Sequence, residues 1–180
     1  MKIGIIGTHC SGKTSLIDKL YSNPVFAGYD FLEEPIREVS RSHFRINQDS
    51  DDAAQFAMLA CHLRNLQYEK FVSDRTLLDL YVYCCTLHNV SRETKDFIFK
   101  MVLKHLDSYD YLFWCAPEFE MKDDGFRQTD KKWQMDIEKS FETAVNYLNK
   151  NNTLKHCKII RLTGETIDRA KTLIKEVFGK

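Results

Sequence analysis

Gly7-Thr8-His9-Cys10-Ser11-Gly12-Lys13-Thr14 is the stretch on which the reading of this chain turns. It fits G-x-x-x-x-G-K-S/T at every fixed position, a pattern whose glycines let consecutive backbone N–H groups curl around an anion. The flanking residues supply the context. Ile3-Gly4-Ile5-Ile6 ahead of it is a short apolar run, and Ser15 to Tyr21 behind it carries apolar residues at helical spacing. Strand, loop and helix in that order set the loop amides at a helix N-terminus, where the helix dipole adds to the attraction for phosphate. In this pattern residues Gly7 to Gly12 wrap the phosphates, Lys13 reaches the β- and γ-phosphates, and the Thr14 hydroxyl ligates Mg²⁺.

The remaining composition narrows the field. A chain of 180 residues fits a single domain, 1–180. Lys plus Arg and Asp plus Glu each number 26, so no global field draws the chain to polymeric nucleic acid or to an anionic membrane. No apolar stretch approaches the ~20 residues of a membrane span, and Met1 runs straight into the first strand without a signal peptide. The expected location is the cytoplasm, and a homodimer stays open. The six cysteines (Cys10, Cys61, Cys84, Cys85, Cys115, Cys157) show no C-x-x-C pair and no zinc spacing, so they read as reduced thiols.

Along the chain, strands alternate with helices. Tyr29 to Glu33 reads as a second strand and Ile36 to Phe44 as a helix, on which Arg37, Arg41 and Arg45 would share one face. Ser50-Asp51-Asp52 supplies caps for a long helix from about Asp52 to Tyr68, with Ala53, Phe56, Ala60, Leu63 and Leu66 spaced for burial. Phe71-Val72-Ser73 is a short strand, and Leu77 to Asn89 and Ser91 to Leu106 are two helices. Tyr109 to Cys115 is an apolar strand of the kind covered on both faces. A polar connection then holds Asp123-Asp124-Gly125-Phe126-Arg127. Asp130 caps a helix carrying Trp133, Ile137, Phe141, Val145 and Leu148; Lys158 to Leu162 is the last strand, and a final amphipathic helix follows. This alternation calls for a parallel α/β sheet.

Four chemically useful clusters follow strand ends: the phosphate loop, Glu33-Glu34, Asp74-Arg75 and Thr163-Gly164. In an open parallel sheet, ligands bind outside the carboxyl ends of the strands, so one crevice can collect all four. Phosphoryl transfer needs positioning, Mg²⁺, cations around the equatorial oxygens and a carboxylate on the attacking hydroxyl. Glu34, with Glu33 as its competitor, is the candidate base. Asp74 is placed to hold Mg²⁺ together with Thr14, Arg75 to clamp phosphate, and Arg127 to swing over the transferring group as a lid arginine. Gln55 is positioned to read a nucleobase edge through its amide. Tyr81, Tyr83, Phe44 and Phe56 offer rings for stacking on a base, but aromatics at helical spacing are more often core, where the four are placed.

The combination of GTHCSGKT, Phe31-Leu32-Glu33-Glu34-Pro35, Gln55-Phe56, Val72-Ser73-Asp74-Arg75-Thr76 and Asp124-Gly125-Phe126-Arg127 resembles the small P-loop kinases that phosphorylate nucleosides and nucleotides. The resemblance covers most of the chain. It is strongest toward the compact AAA-type nucleoside kinases of nicotinamide riboside kinase type, and extends to deoxynucleoside and thymidylate kinases. Deoxynucleoside kinases have Glu-Arg-Ser after the third strand. Asp74-Arg75-Thr76 is nearer to the Asp-Arg of thymidylate kinases, yet the loop lacks their Asp-Gly. The resemblance implies a P-loop NTPase three-layer sandwich, with a five-stranded parallel sheet in the order 2-3-1-4-5. It implies a helical lid over about 117–132 and adenine held near Thr163 and Gly164. The implied activity is transfer of the γ-phosphoryl group of ATP, with Mg²⁺, to a nucleoside 5′-hydroxyl. Glu34, Arg37, Gln55 and Arg75 would then face the acceptor. A nucleoside monophosphate is the alternative acceptor, favoured if Arg37 and Arg41 point into the crevice behind Glu34. An ATPase or switch with no small acceptor is the remaining alternative.

Overall fold

The computed structural model describes residues 1–119 and 130–179. Lys2–Ile6 forms β1, Asp30–Leu32 β2, Phe71–Asp74 β3, Tyr111–Cys115 β4 and Lys158–Leu162 β5. They make one sheet in the order β2-β3-β1-β4-β5, and every pairing in it is parallel. That is the order implied by the resemblance.

Successive strand residues point to opposite faces, and both faces are buried, which is why the strands read as continuous apolar runs. Ile3, Ile5, Val72, Phe113 and Cys115 face one side. There they pack on Leu16 and Leu20 of α1 (Lys13–Tyr21) and on Ala170 and Leu173 of α7 (Thr166–Phe178). Ile6, Phe71, Leu112 and Trp114 face the other side. That side is covered by α3 (Asp52–Asn65), α4 (Leu77–Thr86), α5 (Arg92–His105) and α6 (Lys131–Lys150). Each fully buried Leu or Ile in these layers contributes about 1.5–3 kcal/mol of transfer free energy.

Caps set the helix starts where the sequence places them. Asp51 accepts from Ala54 N, Ser91 from Thr94 N, and Asp130 from Lys132 N and Trp133 N. Trp133, Ile137, Phe141, Val145 and Leu148 are all buried along α6.

Two helices depart from expectation. α2 runs only from Pro35 to Ser40, started by a proline whose fixed φ suits a first helical position, and Arg41 is already its cap. His43 then takes a positive φ of 63°, so Arg37, Arg41 and Arg45 do not share a helical face. α3 is rotated relative to the expected burial. Ala53, Phe56 and Ala60 are exposed, and Ala54, Gln55, Met58, Leu59, Cys61 and His62 are the buried face. Hydrophobic spacing misleads here because the inward stripe of α3 includes polar groups that line a cavity rather than core.

Candidate active site

Between β1 and α1 the chain makes the turns that only its glycines tolerate. Gly7 sits at φ 134°, and a Cβ there would lie 2.7 Å from the Cys115 carbonyl, so the loop can press against the end of β4 only without a side chain. Cys10 takes a left-handed φ of 55°, an uncommon conformation for a residue with a Cβ and one that clusters at ligand sites. Lys13 opens α1 with its ammonium turned back onto the loop, where Nζ donates to Gly7 O at 3.0 Å and Thr8 O at 2.5 Å. Burial lowers its pKa to about 8; the Arg75 cation adds to the drop, while Asp74, Asp79 and Glu34 oppose it.

The loop is pinned from α4. Thr76 and Asp79 form a capping box, with Asp79 accepting from Thr76 N at 2.9 Å, and the other Asp79 oxygen accepts from Gly7 N at 3.1 Å. Burial raises the Asp79 carboxyl to about pKa 6 against the pull of Arg75 and Lys13. Asp79 was not singled out from the sequence; the T-x-x-D spacing ahead of an apolar helix is the signal that could have found it.

Arg75 leaves β3 with φ 72° and turns its guanidinium back into the cleft. Its Nε donates to Glu34 Oε1, one Nη donates to Gly7 O at 3.2 Å, and Asp79 lies 3.5 Å away. The guanidinium also lies over the Tyr83 ring, 4.5 Å from its centre. Buried beside three carboxylates, Arg75 has a pKa well above its ordinary value despite desolvation. Glu34 is buried, whereas Glu33 is exposed. Burial thus distinguishes the two glutamates left as alternatives in the sequence. Asp74 closes β3 beside Ile5 of β1, and Thr14 lies in the first turn of α1. A carboxylate and a hydroxyl so placed are the hard oxygen donors that Mg²⁺ accepts, with water and phosphate completing its shell. No cluster of three or more His, Cys, Asp or Glu able to hold a metal by itself occurs among the described residues.

Beside this pair opens a cleft of about 700 Å³ counted out to its solvent-open mouth, walled by Glu34, Pro35 and Ile36, by Gln55, Met58 and His62 of α3, and by Arg75, Tyr83, Trp133 and His9. Gln55 is 2% exposed; its Nε2 donates to Ser50 Oγ at 2.8 Å, and its Oε1 has no partner among the described residues. His62 Nδ1 is likewise buried without a partner among the described residues, and burial, aided by the Arg75 cation, holds the imidazole neutral with a pKa of about 3. The His9 ring turns out of the loop into this wall, 5.0 Å from the Trp133 ring. Gln134 of α6 fixes it by donating to His9 O at 2.7 Å. Tyr83, assigned to the core from sequence, also lines the cleft. Tyr81, grouped with it, packs on Phe99 with ring centres 4.7 Å apart; Phe56 is exposed against Phe97, and Phe44 is exposed.

Arg41 is exposed and borders a second groove on the other side of Glu34, lined also by Glu33, Glu38 and Arg64, while Arg37 is half-buried and absent from the cleft wall. At the far end, Thr163 and Gly164 follow β5 at the surface beside the phosphate loop. Gly164 N donates to Glu118 Oε2 at 2.6 Å. Arg127 lies outside the described residues. No described helix is long and apolar enough to cross a membrane.

A family model described as an AAA domain matches residues 2–154. No match emerged among curated proteins. Among solved structures, a NadR protein in complex with NR superposes with a TM-score of 0.73 at 19% identity, over 99% of this chain and 51% of that one. The chain therefore spans about half the length of that NadR protein. The deoxyadenosine kinase of M. mycoides, with dCMP and dCDP, superposes at 0.68 and 16% identity over 100% of both chains. The YorR protein of Bacillus subtilis, in complex with phosphorylated GDP, gives 0.60 and 12% identity over 98% and 95%. The fold is thus that of the P-loop kinases.

Proposed function

The chain belongs to the AAA-domain family, and from that premise we propose that it is a kinase moving the γ-phosphoryl group of ATP to the 5′-hydroxyl of a nucleoside. The observation that carries this reading is the buried Glu34 carboxylate, held by Arg75 on the wall of a 700 Å³ cleft that adjoins the phosphate loop.

In that role the Glu34 carboxylate accepts the hydroxyl proton as the oxygen attacks phosphorus, within hydrogen-bond reach of the substrate. Arg75 holds the carboxylate in place from one side and ties it to Gly7 of the loop from the other. The loop amides and the start of α1 bind the β- and γ-phosphate oxygens, and Lys13 exchanges the Gly7 and Thr8 carbonyls for them. Mg²⁺, held by Thr14 and Asp74, would neutralise phosphate charge when bound. Gln55 offers its unpartnered Oε1 to the base edge, between Tyr83 and the α3 wall.

The acceptor is proposed to be a nucleoside, of deoxynucleoside or nicotinamide riboside type, because a monophosphate brings about two negative charges that need cations. Arg75 is the one guanidinium or ammonium group among the described residues lining the cleft, and it already faces Glu34 and Asp79. The neighbours solved with NR and as a deoxyadenosine kinase support the same choice.

Phosphoryl transfer from labelled ATP with Mg²⁺, across ribo- and deoxynucleosides, nicotinamide riboside and their monophosphates, tests the proposal. Label on a nucleoside is the expected result. Label confined to monophosphates would overturn the choice of acceptor, and release as free phosphate alone would make the protein an ATPase.

A further inference from the structure

Arg169, on α7 and well outside every motif above, is the largest fully buried side chain among the described residues. A guanidinium withdrawn from water is tolerated only when its donors are satisfied. Here Nε donates to Gly164 O at 2.8 Å and one Nη donates to Ser11 O at 2.7 Å. The other Nη donates to Ala116 O and to Glu118 Oε2, each at 3.0 Å. The Phe119 ring lies over the guanidinium, 4.7 Å from its carbon, and roofs Gly12, where a Cβ would meet that ring at 2.5 Å.

These contacts reach three separate loops: the phosphate loop at Ser11, the exit of β4 at Ala116 and Glu118, and the exit of β5 at Gly164. The Ser11 contact has a directional consequence. In a trans peptide the C=O and the following N–H point in opposite directions, and no cis bond occurs among the described residues. Anchoring the Ser11 carbonyl on Arg169 therefore turns the Gly12 N–H away from α7. The contact also polarises the peptide, making that N–H a stronger donor. At Gly164 both backbone groups are engaged, the carbonyl by Arg169 and the N–H by Glu118.

We infer that Arg169 is a positioning residue for the triphosphate nucleotide: it aims the Gly12 N–H at the phosphates and, with Glu118, holds the β5 exit loop at a fixed distance from them. The inference rests on the proposed ATP site, with the phosphates on the loop and the base beside Thr163 and Gly164. It predicts that the two partners act on different parts of the ligand, Arg169 on phosphate and base together and Glu118 on the base alone.

Calorimetric titration of the wild type, Arg169→Lys and Glu118→Ala with Mg-ATP and with Mg-tripolyphosphate, alongside thermal unfolding, makes the test. Arg169→Lys is expected to raise the Kd of both ligands roughly 10- to 100-fold, the size of a lost charge-assisted hydrogen bond. Glu118→Ala, a change at a half-exposed side chain, is expected to raise the Kd of ATP while leaving tripolyphosphate within about twofold. An Arg169→Lys protein that melts earlier but binds both ligands as the wild type does would reduce Arg169 to a core residue and overturn the inference. If that variant does not fold, Glu118→Ala decides: equal loss for both ligands, or for neither, overturns it. A wild type that binds ATP with the predicted variant pattern, yet phosphorylates no acceptor, would sink the kinase reading and leave this inference standing.

Discussion

The phosphate loop takes its eight residues from one stretch of chain, whereas the cleft beside it is assembled from Glu34 after β2, Gln55 and His62 on α3, Arg75 after β3, Tyr83 on α4 and Trp133 on α6. The first binds mainly through backbone, so its chemistry is written in the spacing of glycines, a lysine and a hydroxyl. The second binds through side chains that meet only because the sheet brings strand ends together. A contiguous site is fixed by local geometry and tolerates few substitutions, while a site gathered across the sheet can change its ligand one wall residue at a time.

The largest effect should fall on the contiguous side. Lys13→Ala is expected to cut kcat/KM by about 10³, the upper end of the loss seen when a preorganised donor leaves a developing charge, with the circular dichroism spectrum unchanged. Retained transfer in that variant would break the comparison, since the loop would then be decorative.

Glu34→Gln comes next, with kcat falling by about 10² to 10⁴ and the KM for ATP nearly constant. Loss of ATP affinity instead would attach Glu34 to the metal and blur the boundary between the two sides. Gln55→Leu sharpens the boundary further. Its expected cost is about 1–3 kcal/mol in kcat/KM for the acceptor, the penalty of leaving a buried polar partner unmet, with ATP binding untouched; an equal loss for ATP would contradict the division.

The last effect leaves activity aside and concerns stability against pH. His62 titrates near 3 in the folded chain, held down by burial and by Arg75, and near 6.5 when unfolded. Between those values the unfolded chain binds the extra proton, so stability falls as pH drops below about 6.5. Asp79, raised to about 6 by burial, works in the opposite direction over part of the same range. His62→Phe should flatten the acid side of a melting-temperature profile measured from pH 7 to 4; an unchanged slope would show that the imidazole is not held neutral.

This contrast also explains which parts of the molecule could be read in advance. The alternation of strands and helices, the caps at Asp51, Ser91 and Asp130, and the inward stripe of α6 follow from local pattern, whereas the strand order was legible only through the family resemblance that the loop and its companion motifs carry. The face of α3 was not, because Gln55 and His62 are buried for the sake of a cavity and periodicity counts only apolar residues. The arginine row at Arg37, Arg41 and Arg45 failed for a different reason: α2 ends before the second of them. Arg169 left no signal, since one arginine in an amphipathic helix reads as solvated until the fold shows three loops converging on it.

The stacking of Trp133 against His9 has one further consequence. The chain contains two tryptophans. Trp114 sits in β4, against Phe141 and the guanidinium of Arg161, and does not line the cleft. Trp133 instead has its ring on the loop histidine and its Nε1 donating to Thr86 at the end of α4. One indole is thus outside the cleft wall and the other is part of it, beside the loop. The protein carries a built-in pair of fluorophores, and a change in Trp133 emission alone is the signature expected of a ligand entering the cleft.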